Sequence, residues 1–152
     1  MDLKNSSALP HITVATVVEK ASKFLLVREK ANGQIVYNQP AGHLKCGESL
    51  TTAALRETFE ETTWRIKITS LLGIYNYLSA ANGVTYVRHC FIAEPIWQEP
   101  EAKLDSDILD AVWLSIDEII QKTAELRSPL VLTVLKDYVA GNSYPLSVIR
   151  DS

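Results

Sequence analysis

The chain has 152 residues and a formal net charge of −3, with 47% hydrophobic and 22% charged residues. These values are typical of one soluble globular domain over residues 1–152, long enough to bury about 70% of its unfolded surface. The mild net negative charge argues against sequence-independent binding of nucleic acid, because such binding needs a basic surface. It permits binding of a small phosphorylated substrate. We expect no membrane segment, since no apolar run approaches the roughly 20 residues needed to span a bilayer. Residues 1–10 are predicted to be a loose leader and not a signal peptide.

The spacing of the cysteines and histidines indicates the cellular compartment of the protein and the kind of metal that it would bind. Cys46 and Cys90 form neither a disulfide framework nor a CxxC motif, which predicts two free thiols in a reducing cytoplasm. The histidines His11, His43 and His89 form no i,i+4 or HxH pair. Zinc is therefore not the expected metal.

The N-terminal half predicts three strands, a loop and a helix. The β-branched run HITVATVV predicts the first strand, and KFLLVRE and QIVYNQP predict two more, joined by the hairpin signal Asn32-Gly33. The segment AGHLKCGE, which contains two glycines, predicts a loop. Ser49 suits the N-cap of a helix of about 13 residues.

Three further strands are predicted in the second half of the chain. The extended runs are RIKITSLLGIYNYLS and VTYVRHCFIAEPIW, with the tight-turn signal Asn82-Gly83 between them. The polar, acidic segment QEPEAKLDSD predicts a surface loop, and DAVWLS a short strand after it.

Two helices are predicted near the C-terminus. Ser115 and Glu118 have capping-box spacing for the helix IDEIIQK. In RSPLVLTVLKDYVAG, Ser128 suits the N-cap, Pro129 the first helical position and Gly141 the position just past the end. The order of elements predicts an α/β fold with a mixed β-sheet flanked by helices.

The helix after Ser49 carries three carboxylates, Glu57, Glu60 and Glu61, on one face. At about 100° per residue this face continues an apolar one, formed by Leu50, Ala53 and Ala54. Two like charges about 5 Å apart repel by roughly 3 kcal/mol at an effective dielectric of 20, and Arg56 supplies a single compensating charge. A solvated acidic face is the alternative for any Glu-rich helix. The inward placement favours a hard divalent cation, Mg²⁺ or Mn²⁺, among the carboxylates.

The stretch GHLKCGESLTTAALRETFEETTW resembles the signature of the Nudix (MutT-like) hydrolases. The matching positions, at the family spacing, are Gly42, Glu48, Arg56, Glu57, Glu60 and Glu61. The family usually has glycine two residues after the last glutamate, where this chain has Thr63, so the end of the helix is in question. Shorter segments in shared order, including NQPAGHL, DSDI and LRSPLV, resemble the NudJ-type phosphatase subgroup over nearly the whole chain.

The resemblance implies a Nudix-type α-β-α sandwich and a hydrolase of phosphoanhydride bonds. It implies that Glu57 and Glu61 bind Mg²⁺, that Glu60 contributes, and that the backbone carbonyl of Ala41 is a further ligand. A metal ion would neutralise the anhydride oxygens, orient the phosphoryl group and lower the pKa of a water. Little covalent chemistry would then fall to the protein.

The resemblance also implies roles around the metal. Glu48 would brace Arg56, and Arg56 would fix a glutamate of the cluster. For the base that takes the proton from water, Glu60 is the first choice, and Asp107 or Asp110 the alternative. Each of these aspartates equally suits a solvated loop or the cap of a strand.

Three residues outside the helix are candidates for substrate contacts: Tyr37, Gln39 and Arg127. Tyr37 and Gln39 lie just before the signature, and Arg127 offers a bidentate contact to a phosphate. Each also has a structural alternative: a core side chain for Tyr37, a backbone hydrogen bond for Gln39 and a surface charge for Arg127.

The subgroup resemblance implies Mg²⁺-dependent hydrolysis of nucleoside tri- and diphosphates and of the thiamin pyrimidine pyrophosphate, with release of phosphate. On the same fold the alternatives are a pyrophosphatase of ADP-ribose, dinucleotides, oxidised nucleotides or RNA 5′ ends, and a prenyl diphosphate isomerase. A non-catalytic nucleotide-binding module is the alternative from another class, although it would have no reason to keep mutually repelling glutamates. The expected partner is a small phosphorylated molecule, and the protein itself a monomer or homodimer.

Overall fold

The computed structural model describes residues 9–152. Residues 1–8 of the predicted leader lie outside the described residues. Leu9, which also belongs to the predicted leader, is exposed. Within the described range, strands β1 to β7 span His11–Lys20, Lys23–Ala31, Gln34–Asn38, Ala41–His43, Trp64–Leu78, Thr85–Gln98 and Ile108–Ser115. Helices α1 to α3 span Leu50–Thr62, Ile116–Gln121 and Leu130–Val139. None of these helices has the length and hydropathy needed to cross a membrane.

The strands form one mixed sheet, which confirms the predicted α/β class. Its main path is β3-β2-β1-β6-β5, while β4 pairs with β1 and β7 pairs with β2. The β1–β6 pair is parallel, and the other strand pairs are antiparallel. Near its start β1 pairs with β4, and at its end with β2. β1 therefore joins the two halves of the sheet.

Helices cover both faces because the inward side chains alternate along β1. Val14 clusters with Ala54 of α1, whereas Ala15 clusters with Val134 of α3 on the opposite face. The next residue, Thr16, returns to the α1 side, where its hydroxyl is 2.8 Å from that of Thr58. The architecture is the expected α-β-α sandwich.

The predicted turns and loops are found with two differences. Asn32 and Gly33 both adopt positive φ, of 50° and 76°, as a two-residue type I′ hairpin requires. Asn82-Gly83, in contrast, lies within a longer connection, residues 79–84. The segment expected to be a loop from Ala41 onward begins as the short strand β4. Backbone pairing with β1 makes it a strand, and its local sequence carries no strand signal.

The ends of α1 are set by the side chain of Ser49 and the backbone of Thr63. Ser49 is the N-cap, because its Oγ accepts a hydrogen bond from the Thr52 N–H at 3.2 Å, and the helix has the predicted length of 13 residues. Thr63 adopts the left-handed φ of 62° that the family glycine would supply, and its N–H donates to the Phe59 carbonyl. The helix therefore ends where a glycine would end it, at a conformational cost of about 1–2 kcal/mol.

The other helix ends agree with the sequence to within one residue. Ser115 accepts a hydrogen bond from the Glu118 N–H at 3.2 Å and caps α2. α3 begins at Leu130, so Pro129 is its N-cap and not its first helical residue. At the other end Gly141 has a φ of 87°, and its N–H donates to the Tyr138 carbonyl, as in a Schellman motif.

Candidate active site

Strand β4 and helix α1 approach closely, and this contact holds two carboxylates against the sheet. A Cβ at Gly42 would overlap the carboxylate of Glu57, so any other residue at this position would displace that carboxylate. The N–H of Ala41 donates to Oε1 of Glu61 at 2.8 Å. Glu61 is 8% exposed, and the side chain of Glu57 is 14% exposed. Of the three acids predicted to face inward, Glu57 and Glu61 therefore do so, whereas the Glu60 side chain is 36% exposed.

Arg56 connects the carboxylates of the site through all three guanidinium nitrogens. Nε and Nη2 donate to the two oxygens of Glu48 at 2.7 and 2.9 Å, the bidentate geometry of the strongest arginine–carboxylate pairs. Nη1 donates to Glu57 at 2.7 Å and to Glu60 at 3.2 Å. Nη2 also donates to the carbonyl of His43 in β4. Arg56 therefore fixes the positions of two glutamates on its own helix.

The electrostatics of the site differ from one glutamate to the next. Hydrogen bonding to Arg56 is the main reason that the pKa of Glu48 falls to about 2. Burial raises the pKa of Glu61 to about 8, against the stabilising N–H of Ala41. Burial also raises the pKa of Glu57, although Arg56 opposes the shift. Two acids at this site are thus held in surroundings that disfavour their negative charge unless a cation is present.

A fourth acid, which sequence reasoning missed, completes the cluster. Oxygens of Glu57, Glu60 and Asp105 lie within 4.8 Å of one another. The N–H of Asp105 donates to the carbonyl of Glu60 at 3.0 Å, which ties the acidic loop before β7 to the C-terminal half of α1. The acidic composition of this loop was visible in the sequence, but no local pattern distinguishes Asp105 from its neighbours.

The two aspartates that the sequence suggested lie elsewhere. Both oxygens of Asp110 accept hydrogen bonds from Arg28, at 2.6 and 2.8 Å, so Asp110 belongs to an ion pair between β2 and β7. Asp107 is exposed, and its backbone carbonyl accepts a hydrogen bond from Lys30. Of the described aspartates, the acidic cluster includes Asp105 and neither of these.

The donor set suits a hard divalent cation. Carboxylate oxygens, together with backbone carbonyls, are the ligands that Mg²⁺ and Mn²⁺ prefer. Arg56 brings a single positive charge to Glu57 and Glu60, and burial disfavours the ionised forms of Glu57 and Glu61 by raising their pKa values. A divalent ion would supply the missing positive charge.

The predicted substrate-binding residues lie between β3 and the start of α3. Gln39 is 1% exposed, and its Nε2 donates to the carbonyl of Val131 in α3. Arg127 donates through Nη1 to Glu29 at 2.7 Å, and its N–H donates to the carbonyl of Tyr37. Each of the three therefore has a partner within the protein, and the Arg127 side chain also remains 47% exposed.

The family model of the NUDIX domain matches residues 9–133, which include β1 to β7 and every residue of the acidic cluster. The chain belongs to the Nudix family. This Nudix chain is 40% identical over 142 residues to Phosphatase NudJ of Escherichia coli strain K12, covering 93% of the chain and 92% of that protein. The predicted similarity to the NudJ-type subgroup is thus confirmed.

Solved structures show the same fold. A NUDIX hydrolase from Nitrosomonas europaea has a TM-score of 0.92 at 45% identity, over 95% of this chain and 98% of that one. A bifunctional NMN adenylyltransferase/ADP ribose pyrophosphatase from Francisella tularensis, complexed with AMP and a manganese ion, has a TM-score of 0.69 at 22% identity. That match covers 91% of this chain and 43% of the other, and shows a shared fold alone. The protein described here is a Nudix hydrolase, and enzymes of this family generally use divalent metals.

Proposed function

We propose that this Nudix hydrolase cleaves phosphoanhydride bonds in nucleoside tri- and diphosphates, and in the thiamin pyrimidine pyrophosphate, with Mg²⁺ and release of phosphate. The observation that carries the proposal is the group of acids on α1, in which Glu57 and Glu61 lie against β4 while Arg56 holds Glu57 and Glu60. The similarity to Phosphatase NudJ supports the release of phosphate. Mn²⁺ is expected to substitute for Mg²⁺ because both accept oxygen ligands.

We assign the metal to Glu57, Glu60, Glu61 and the carbonyl of Ala41, and add Asp105 from the loop before β7. When bound, the ion neutralises charge on the phosphoanhydride oxygens and orients the phosphoryl group. The chain's own residues keep the ligands in place. Ala41 donates its N–H to one oxygen of Glu61, which leaves the second oxygen of that carboxylate available.

Glu48 and Arg56 act as positioning residues, and Glu60 is the proposed base. Glu60 has the most exposed side chain of the three glutamates on α1, at 36%, and the longest contact to Arg56, at 3.2 Å. Of the three glutamates, Glu60 is thus held least firmly by other groups of the protein, and it is the one best able to accept a proton from water. Asp105, which is exposed and within the same cluster, is the alternative.

Substrate contacts are proposed for Tyr37, Gln39 and Arg127. The exposed part of Arg127 offers donors beyond the nitrogen that binds Glu29. We also propose that the enzyme acts in the reducing cytoplasm, as a monomer or homodimer, on small molecules and not on nucleic acid. The free thiols of Cys46 and Cys90 and the net charge of −3 support this assignment.

The test is to incubate the purified protein with nucleotides and the thiamin pyrimidine pyrophosphate, in Mg²⁺, Mn²⁺ or chelator, and to measure orthophosphate and pyrophosphate. We expect metal-dependent orthophosphate release that Glu61→Gln nearly abolishes, while the exposed Glu94→Gln leaves it unchanged. Full activity of Glu61→Gln would refute the metal assignment. Nucleotide binding without turnover under any metal would favour the binding module instead.

A further inference from the structure

Buried polar atoms without partners concentrate in one part of this enzyme. Among the described residues, four such side-chain atoms lack a hydrogen bond: Thr13 Oγ1, Asn38 Oδ1, Gln39 Oε1 and Arg88 Nη1. Asn38 and Gln39 are consecutive, and Thr13 lies opposite Arg88 in the parallel β1–β6 pair. Buried polar atoms are nearly always hydrogen-bonded in native proteins. A local group of exceptions indicates a place where an external molecule supplies the partners.

Arg88 is the most costly of these exceptions. A guanidinium does not lose its proton in proteins. Nη1 of Arg88 is buried without a partner, although the residue as a whole is half-buried, and an unpaired buried donor of a charged group is unfavourable. Burial lowers the pKa of Arg88, and the charge of Arg127 adds to that shift, whereas Cys90, Glu29 and Glu61 oppose it. Arg88 therefore lies within the electrostatic reach of both the acidic cluster and the proposed substrate residue Arg127.

The carboxylate that would otherwise neutralise Arg88 is already engaged. Oε1 of Glu29 accepts a hydrogen bond from Nη1 of Arg127 at 2.7 Å and a longer one, of 3.4 Å, from the amide of Asn38. Glu61 in turn faces the N–H of Ala41. The fold thus leaves a buried arginine donor open beside the metal-binding carboxylates. The proposed function does not yet use that donor.

We propose that Arg88 is a substrate-binding residue whose Nη1 donates to an oxygen of a second phosphoryl group, adjacent to the one at the acidic cluster. The proposal rests on the proposed function, because it takes the substrate to be a chain of phosphoryl groups. Arginine is suited to this role, since it stays charged and matches the geometry of phosphate oxygens. Arg88 would then select substrates by the number of phosphoryl groups they carry.

The test compares Arg88→Met and Arg88→Lys with the exposed Arg150→Met as a matched control. A hydrogen bond to a charged group is worth roughly 1.5–3 kcal/mol, which corresponds to about 10- to 100-fold in kcat/KM. We expect Arg88→Met to lose this factor for nucleoside tri- and diphosphates, mainly through KM. Arg88→Lys should lose less, and Arg150→Met nothing. Mn²⁺ affinity, measured by calorimetry, should not fall in any of the three variants, because the metal-binding carboxylates are intact and the charge of Arg88 repels a cation.

A second measurement separates this proposal from the proposed function. Inorganic pyrophosphate in the absence of metal should raise the Tm of the wild type and raise that of Arg88→Met much less. If Arg88→Met does not fold, the comparison is made with Arg88→Lys. Equal shifts, or an unchanged KM in a folded Arg88 variant, would overturn the role of Arg88 even if the enzyme is active. A wild type that binds pyrophosphate through Arg88 but turns over no substrate would overturn the proposed function alone.

Discussion

At the scale of single residues, Arg56 determines whether the glutamates of α1 form a site. Its guanidinium binds Glu48 bidentately and reaches Glu57, Glu60 and the backbone of β4 at the same time. A lysine at this position keeps the charge, but a single ammonium cannot reproduce a planar fork with five N–H donors. The role of Arg56 is therefore geometric as much as electrostatic.

Arg56→Lys should reduce kcat by about 100-fold, because small displacements of catalytic groups have effects of that size. We expect Tm to change much less than activity, since the core does not involve this residue. The measurement is steady-state phosphate release together with thermal unfolding of the same preparations. A lysine variant with wild-type kcat would show that the bidentate geometry is dispensable.

Asp105 and Asp107 are two positions apart in one loop, which makes them a matched pair. Asp105→Asn should weaken Mn²⁺ binding, and with it activity, by about 10- to 100-fold, because it removes an anionic oxygen from the cluster. Asp107→Asn should have little effect, since Asp107 lies outside the cluster. Calorimetric Mn²⁺ titrations and phosphate release check both variants. The reverse order of effects would exclude Asp105 from the metal site and favour Asp107, which the sequence suggested as an alternative base.

At the scale of elements, most of the fold follows from patterns in the chain. The 13-residue α1, its Ser49 cap and the Asn32-Gly33 hairpin were predictable, because each rests on contacts a few residues apart. The inward position of Glu57 and Glu61 followed from the helical period. Strand β4 and Asp105 were not. β4 is a strand through pairing with β1, and Asp105 joins the site through a hydrogen bond to Glu60 across 45 positions.

Thr63 gives a prediction about the end of α1. In the left-handed conformation, a residue with a Cβ costs about 1 kcal/mol or more relative to glycine. The free energy of unfolding of Thr63→Gly should therefore be about 1 kcal/mol higher than that of Thr63→Ala. At the exposed mid-helix Leu55 the order reverses, since glycine is about 1 kcal/mol worse than alanine there. Urea denaturation of the four variants gives the difference in free energy of unfolding between glycine and alanine at each of the two positions. If the two differences have the same sign, Thr63 is not strained.

At the scale of the whole molecule, the acidic cluster couples metal binding to global stability. The carboxylates gather in the folded state, so a divalent ion binds that state preferentially and raises the free energy of unfolding. An ion at 100 times its dissociation constant would add about 2.7 kcal/mol. Mg²⁺ should accordingly raise the Tm of the wild type and of Glu94→Gln, and raise that of Glu61→Gln much less. Differential scanning fluorimetry over a Mg²⁺ series measures the effect.

Without divalent ions, the same cluster should make stability depend on pH in a direction opposite to that of a salt-bridged acid. Burial raises the pKa of Glu61 from 4.5 to about 8 in the folded protein. Between these values the folded state retains a proton that the unfolded state has released, so the free energy of unfolding falls as pH rises from about 4.5 to 8. Glu61→Gln should reduce this slope and leave the part due to Glu57, whose pKa burial also raises, whereas Glu94→Gln keeps the whole slope. Saturating Mg²⁺ reduces it by displacing the proton. If chelator-treated wild type and Glu61→Gln showed the same dependence of stability on pH over this range, Glu61 would be ionised without a metal, and the physical case for a cation at the site would fail.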